Sequence, residues 1–136
     1  MIILVDTDVL IDVALDRAPF AIDAAALLDA LERGPSRGAL AWHTVSNFYY
    51  LVAAKQGRAG TLGFLSEITQ FLDIAPTTRE HLRRSLQFPL PDFEDAMQVG
   101  AATACSADLI ATRNVRDFRK SPIPAVTPRQ ALTRMA

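Results

Sequence analysis

Ile2-Ile3-Leu4-Val5-Asp6-Thr7-Asp8-Val9-Leu10 opens with four apolar residues in a row and runs them into a carboxylate. An unbroken apolar run of strand length fits a strand buried on both faces, as in the interior of a parallel sheet. The C-terminal edge of such a sheet is where open α/β folds gather their chemistry. Asp6 and, two residues on, Asp8 therefore raise a specific question: which other acids does the fold bring to that edge?

Outward from this stretch the pattern alternates. Val9, Leu10, Ile11, Val13 and Ala14 read as a short helix that stops near Asp16-Arg17-Ala18-Pro19; Phe20, Ala24, Leu27, Leu28 and Leu31 then fall at helical spacing up to Gly34-Pro35. Ala39-Leu40-Ala41-Trp42 is a second run of strand length, followed by a helical pattern through Val45, Phe48, Tyr49, Leu51 and Val52 that Thr44 or Ser46 is placed to cap. Gly57 and Gly60 interrupt before a helix that runs into Leu72-Asp73-Ile74-Ala75, a third strand. Thr77 and Glu80 have capping-box spacing for the helix beyond it, which Pro89 and Pro91 end. Asp92 starts another helix, through Ala96 to Ala104, whose small residues suit close packing on a sheet. Leu109 to Thr112 repeats the type of the first strand, and Ala125-Val126 is a weaker one. Thr127-Pro128-Arg129-Gln130 opens a last helix with proline at its first position and a capping-box glutamine. This βα alternation, with about five short strands, predicts a parallel sheet carrying helices on both faces.

Composition narrows the class. A chain of 136 residues, half of them hydrophobic, is long enough for one domain with a real core, and a single domain over 1–136 is expected. The net charge of −1 argues neither for nor against nucleic acid, so any such site must be a local patch. Cys105 has no disulfide partner and lies in an Ala-rich helical pattern, which reads as a buried thiol in a reducing compartment. The N-terminal stretch lacks the features of a signal peptide, and no apolar run approaches a membrane span. A cytoplasmic protein with no membrane partner is the expectation.

Three segments place polar residues where a parallel sheet exposes its C-terminal edge: Asp6-Thr7-Asp8, Asp92-Phe93-Glu94-Asp95, and Thr112-Arg113-Asn114-Val115-Arg116-Asp117-Phe118. Clustered carboxylates repel, and holding them together costs stability unless protons or a cation neutralise them. A hard divalent ion such as Mg2+ or Mn2+ suits an all-oxygen site; it makes water a better nucleophile and stabilises charge on a phosphoryl oxygen. That chemistry is phosphodiester hydrolysis. Structural explanations compete for some of these acids. Asp92 has N-cap chemistry, Asp95 stands at the third helical position, and Asp117 has the setting of a solvated turn residue. Asp12, Asp16, Asp23 and Asp29 read as helix-surface charges. His43 and His81 lack an i, i+4 partner for zinc; Ser46 lacks the surrounding turn of an acyl-transfer serine; Gly57 and Gly60 match no phosphate-binding loop.

Leu4 to Asp12, Asp92 to Ala96 and Thr112 to Phe118 together resemble, in order and spacing through nearly the whole chain, the three motifs of PIN-domain nucleases. The resemblance is greatest to the small bacterial PIN proteins that include the toxin half of VapBC-type toxin–antitoxin pairs. It implies a three-layer α/β/α fold with a central parallel sheet, Mg2+- or Mn2+-dependent cleavage of RNA, a homodimer, and inhibition by a cognate antitoxin. By matching position Asp6 and Asp95 take the places of two metal ligands, while Asn114 and Asp117 are both candidates to complete the site. Asp6, Asp95 and Asp117 are the expected ligands, with Asn114 in the catalytic set and Asp8, Asn47, Asp92 and Thr112 in support. One position departs from the family: where many members carry a glutamate, within Thr44 to Tyr50, this chain has Asn47, and Asn114 stands where some have aspartate. The site thereby loses negative charge, which keeps open a binding module with weakened chemistry. A phosphatase is disfavoured, because Lys55 and Lys120 are the only lysines and neither adjoins an acid motif. Arg113 and Arg116 read equally as phosphate contacts or as surface charges. Phe48 is assigned to the core, with Tyr49 and Tyr50 open between core and a partner surface.

Overall fold

The structure is a computed structural model that describes residues 1–136. Five parallel strands form one sheet: β1 (Ile2–Val5), β2 (Arg37–Leu40), β3 (Leu72–Ile74), β4 (Leu109–Ala111) and β5 (Ala125–Val126), in the spatial order β3-β2-β1-β4-β5. Seven helices accompany them: α1 (Thr7–Ala14), α2 (Ala21–Arg33), α3 (Trp42–Gln56), α4 (Arg58–Ile68), α5 (Arg79–Ser85), α6 (Phe93–Ala104) and α7 (Pro128–Met135), with a short 3-10 helix at Val115–Phe118. The chain works outward from β1 to β2 and β3, then returns to the other side of β1 for β4. That reversal creates a crevice at the C-terminal ends of β1 and β4, the place where α/β sheets hold ligands.

Alternation along each strand sorts the core into two layers. Ile3, Val5, Leu40, Leu109, Ala111 and Val126 face one side, packed by residues of α1, α2, α3, α4 and α7. Leu4, Ala39 and Ile110 face the other, against Val99, Ala101 and Ala102 of α6. The predicted three-layer arrangement is therefore present, with five helices on one face and two on the other. Phe48 is fully buried and stacks on Phe64 with ring centroids 5.2 Å apart, whereas Tyr50 is exposed.

Several local expectations are corrected. The first helix begins at Thr7 rather than Val9, because the Asp6 carboxylate accepts the Thr7 N–H and caps it directly. Trp42 leaves the second strand: β2 ends at Leu40, Ala41 is the helix N-cap, and Trp42 sits exposed in the first turn of α3. Thr44 therefore caps nothing; it is buried within α3 and its hydroxyl is used elsewhere. The capping box before α5 is Thr78 with His81, one residue later than the Thr77–Glu80 spacing suggested. Only Gly57 separates α3 from α4, at a φ of 86° that a side chain would strain, while Gly60 lies inside α4. In α6 the small residue Gly100 serves helix–helix approach: a Cβ there would fall 2.3 Å from the Ser85 hydroxyl of α5. The Thr127–Gln130 capping box is formed as predicted, with Pro128 at the first position of α7.

Candidate metal centre

The strand-to-helix junction at Asp6 puts its carboxylate at the sheet edge, buried, with Oδ1 accepting the Thr7 N–H at 2.7 Å and Oδ2 accepting the Thr112 hydroxyl at 2.8 Å. Thr112 follows β4, so two adjacent strands meet at that bond. Asp8 lies in the first turn of α1; its Oδ2 takes the Arg113 backbone N–H at 3.2 Å, with Thr112 Oγ1 and Asn114 Nδ2 each at 3.4 Å. Its other oxygen, Oδ1, is buried with no partner from the chain. Asp95 comes from the first turn of α6, where Asp92 caps the helix by accepting the Glu94 and Asp95 N–H groups at 2.7 and 3.3 Å.

These groups face one open cleft of about 420 Å³, lined by Asp6, Asp8, Glu94, Asp95, Asn47 and Asn114, with Ile11, Tyr50 and Leu51 as its apolar wall. Ligand atoms of Asp92, Glu94 and Asp95 all lie within 4.8 Å of one another. The electrostatics record the crowding. Burial, with the charges of Asp8 and Glu94 added, holds the Asp6 carboxyl well above the usual carboxylate range. Burial pushes Asp8 up to about 6, against the pull of the Arg113 N–H and guanidinium. Asp95 is pushed up to about 7 by burial and by the charges of Glu94, Asp92, Asp117 and Asp8.

Of the anticipated residues, then, Asp6, Asp8, Asp95, Asn47 and Asn114 line the cleft together, and Thr112 braces the first two of these acids from below. Asp92 is committed to capping. Asp117 sits on the 3-10 helix and lines a neighbouring hollow with Pro89, Leu90, Pro91, Arg116, Arg119 and Lys120, close enough for its charge to act on Asp95. Two sequence readings are corrected. Asp12 is not a surface charge but is 1% exposed and paired with Arg113, Nε to Oδ2 2.7 Å. Arg113, lying over the Phe20 ring at 4.2 Å, is for that reason no free phosphate contact. Cys105 is half-buried at the end of α6, where burial raises its thiol pKa.

Sequence reasoning overlooked the residues behind the acids. Glu94 Oε2 accepts from Gln98 Nε2 at 2.8 Å and lies 2.6 Å from His43 Nε2. Gln98, fully buried, also reaches Thr44 Oγ1 at 2.9 Å and Thr7 Oγ1 at 3.3 Å, and the two threonine hydroxyls bond each other at 3.0 Å. The i, i+4 spacing of Glu94 and Gln98 was a readable signal; nothing local to His43 announces a partner on another helix.

An all-oxygen donor set, carboxyl groups whose pKa values burial and neighbouring charges raise, and a buried oxygen of Asp8 without a donor are the attributes of a hard divalent cation site, so the residues fit Mg2+ or Mn2+. A parallel α/β/α sheet that gathers acids at its switch point defines the class, and comparison with known proteins agrees with it. A PIN domain family profile matches residues 2–116, and the chain belongs to that family. Among solved structures it is similar to VapBC2 from Rickettsia felis bound to a DNA fragment from their promoter, with a TM-score of 0.72, 13% identity, and coverage of 93% of this chain and 98% of that one. It is also similar to a toxin–antitoxin complex from Klebsiella pneumoniae, at a TM-score of 0.68, 26% identity and coverage of 92% and 96%. A third likeness is to the sarcin-ricin loop cleaving toxin VapC20 of Mycobacterium tuberculosis, at 0.67, 12% identity and coverage of 88% and 92%. No sequence match was found among curated proteins. No helix is long and apolar enough to cross a membrane.

Proposed function

We propose that this chain is a Mg2+- or Mn2+-dependent endoribonuclease acting as the toxin half of a toxin–antitoxin pair, a homodimer of one-domain subunits in the cytoplasm. The observation that carries the reading is the convergence of Asp6, Asp8 and Asp95 on one cleft whose lining holds no lysine or arginine, the guanidinium of Arg113 behind it being paired with Asp12. With no lysine or arginine in the cleft lining, these acids are neutralised either by protons or by a cation from solution. When bound, the metal supplies a Lewis acid that activates water and screens charge building on the scissile phosphate. Asp6, Asp95 and, from the edge, Asp117 hold it in this reading; Asp8 and Asn114 orient groups beside it, and Thr112 fixes the Asp6 carboxylate. The toxin–antitoxin structures it resembles support an antitoxin as partner, and the RNA-cleaving toxin among them supports RNA as substrate.

Incubating the purified protein with single-stranded and structured RNAs, with Mg2+, Mn2+ or chelator, tests the assignment. Cleavage should require the metal, and Asp6→Asn should lower it by at least a hundredfold. Equal cleavage by that variant sinks the reading. Asn47 and Asn114, neutral residues in the cleft, favour a second reading in which the domain binds RNA or protein without cutting. Retained RNA binding with no Mn2+ uptake at millimolar metal would select it.

A further inference from the structure

Asn47 on α3 and Glu94 on α6 line the same cleft, so a charge absent from one position has a neighbour able to supply it. Resting on the metal-dependent reading above, we propose that Glu94 provides the metal-facing carboxylate that position 47 lacks, and that Gln98 and His43 are positioning residues holding it in place. Both partners address the same oxygen, Oε2. The other, Oε1, makes no hydrogen bond within the protein and is left to the cleft that Glu94 lines.

Two simpler accounts of Glu94 explain less. An acid in the first turn of α6 is favoured by the helix dipole, but Asp92 already caps that helix through two N–H groups, and dipole stabilisation does not call for a side chain anchored from behind. A surface charge would not draw on Gln98 either. Burying the Gln98 amide completely is costly, its Oε1 being left without a partner, yet its NH2 group serves Glu94, Thr44 and Thr7. Thr7 belongs to the turn that presents Asp6 and Asp8. One buried side chain therefore ties the α1 end and the α6 end of the cleft into a single framework. Glu94 also adds repulsion at Asp6 and Asp95, which a bound cation would convert into attraction.

The test is Mn2+ titration by calorimetry on the full chain at neutral pH, with RNA cleavage read in parallel. Glu94→Gln should weaken Mn2+ at least tenfold while melting in chelator no lower than the wild type. Adding Asn47→Glu to that variant should recover most of the lost affinity, since the replacement charge enters the same cleft. Gln98→Leu should weaken Mn2+ severalfold without changing the stoichiometry, whereas Asp73→Asn, an exposed acid on β3, should have no effect. Mn2+ affinity of Glu94→Gln within twofold of wild type overturns the inference but leaves the nuclease reading intact, because the wild type still binds metal and cuts RNA. A wild type that takes up no Mn2+ overturns both. Should Glu94→Gln fail to fold, unchanged Mn2+ affinity of Gln98→Leu overturns the proposal by itself.

Discussion

At the scale of single residues, crowding the acids of the cleft together costs stability. A carboxyl whose pKa is raised in the folded state holds its proton where the unfolded chain has released it, so stability falls as pH rises from the ordinary carboxylate range through the raised value. For Asp8 and Asp95 those values are about 6 and about 7, and Asp6 is shifted the same way. In chelator the melting temperature should therefore drop between about pH 4 and pH 7 and level off above, apart from other titrating groups. Mn2+ should reverse the drop, raising the melting temperature more at pH 7.5 than at pH 5. A chelated protein whose melting point is flat over this range would contradict the assignment. By the same sign, Asp6→Asn should melt higher than wild type in chelator while losing cleavage, a gain in stability at the expense of activity.

At the scale of elements, Arg113 acts as a clamp. Its backbone N–H holds Asp8, its guanidinium pairs with buried Asp12, and its flat face covers Phe20, so the loop after β4 is fastened to α1 at two points and to the start of α2 at a third. Arg113→Ala leaves the Asp12 charge buried and unpaired, at a cost of about 3 kcal/mol. A shift of the urea midpoint with unchanged slope checks this; a variant of wild-type stability and lowered RNA affinity would instead restore the phosphate-contact reading. Element identity itself was largely legible. The apolar runs of β1 and β4, the Asp92 cap and the Thr127–Gln130 box declare themselves through local chemistry that the structure uses. Asp6, Asp8 and Asp95 came together because each ends or begins such an element. What stayed hidden depended on distant partners. Asp12 looks like a surface charge until Arg113, far along the chain, is folded against it, and Trp42 extends an apolar run although the chain has already turned into α3. Gln98 shows no linear sign of being interior, because its burial is decided by two threonines on other helices.

At the scale of the whole molecule, a net charge of −1 conceals a separation of sign. The cleft is acidic, and beside it the hollow under Pro89–Pro91 carries Arg116, Arg119 and Lys120, none of them paired with an acid. Phosphates repelled by the cleft have a place to settle next to it. Replacing Arg116 and Lys120 with alanine should weaken RNA binding similarly for all sequences and flatten its salt dependence by about 0.7 in log–log slope for each phosphate no longer neutralised. Unaltered salt dependence would remove this face from the substrate path. The sheet's outer margins have a different consequence. Its flanks are β3, of three residues, and β5, of two, and the first is fenced by the exposed Arg37–Asp73 pair. So short a margin offers an incoming peptide only a bond or two of backbone pairing, too little to recruit it by strand addition. An antitoxin of the proposed kind would therefore have to grip it through side chains, and its specificity would be written in those surface residues rather than in the backbone.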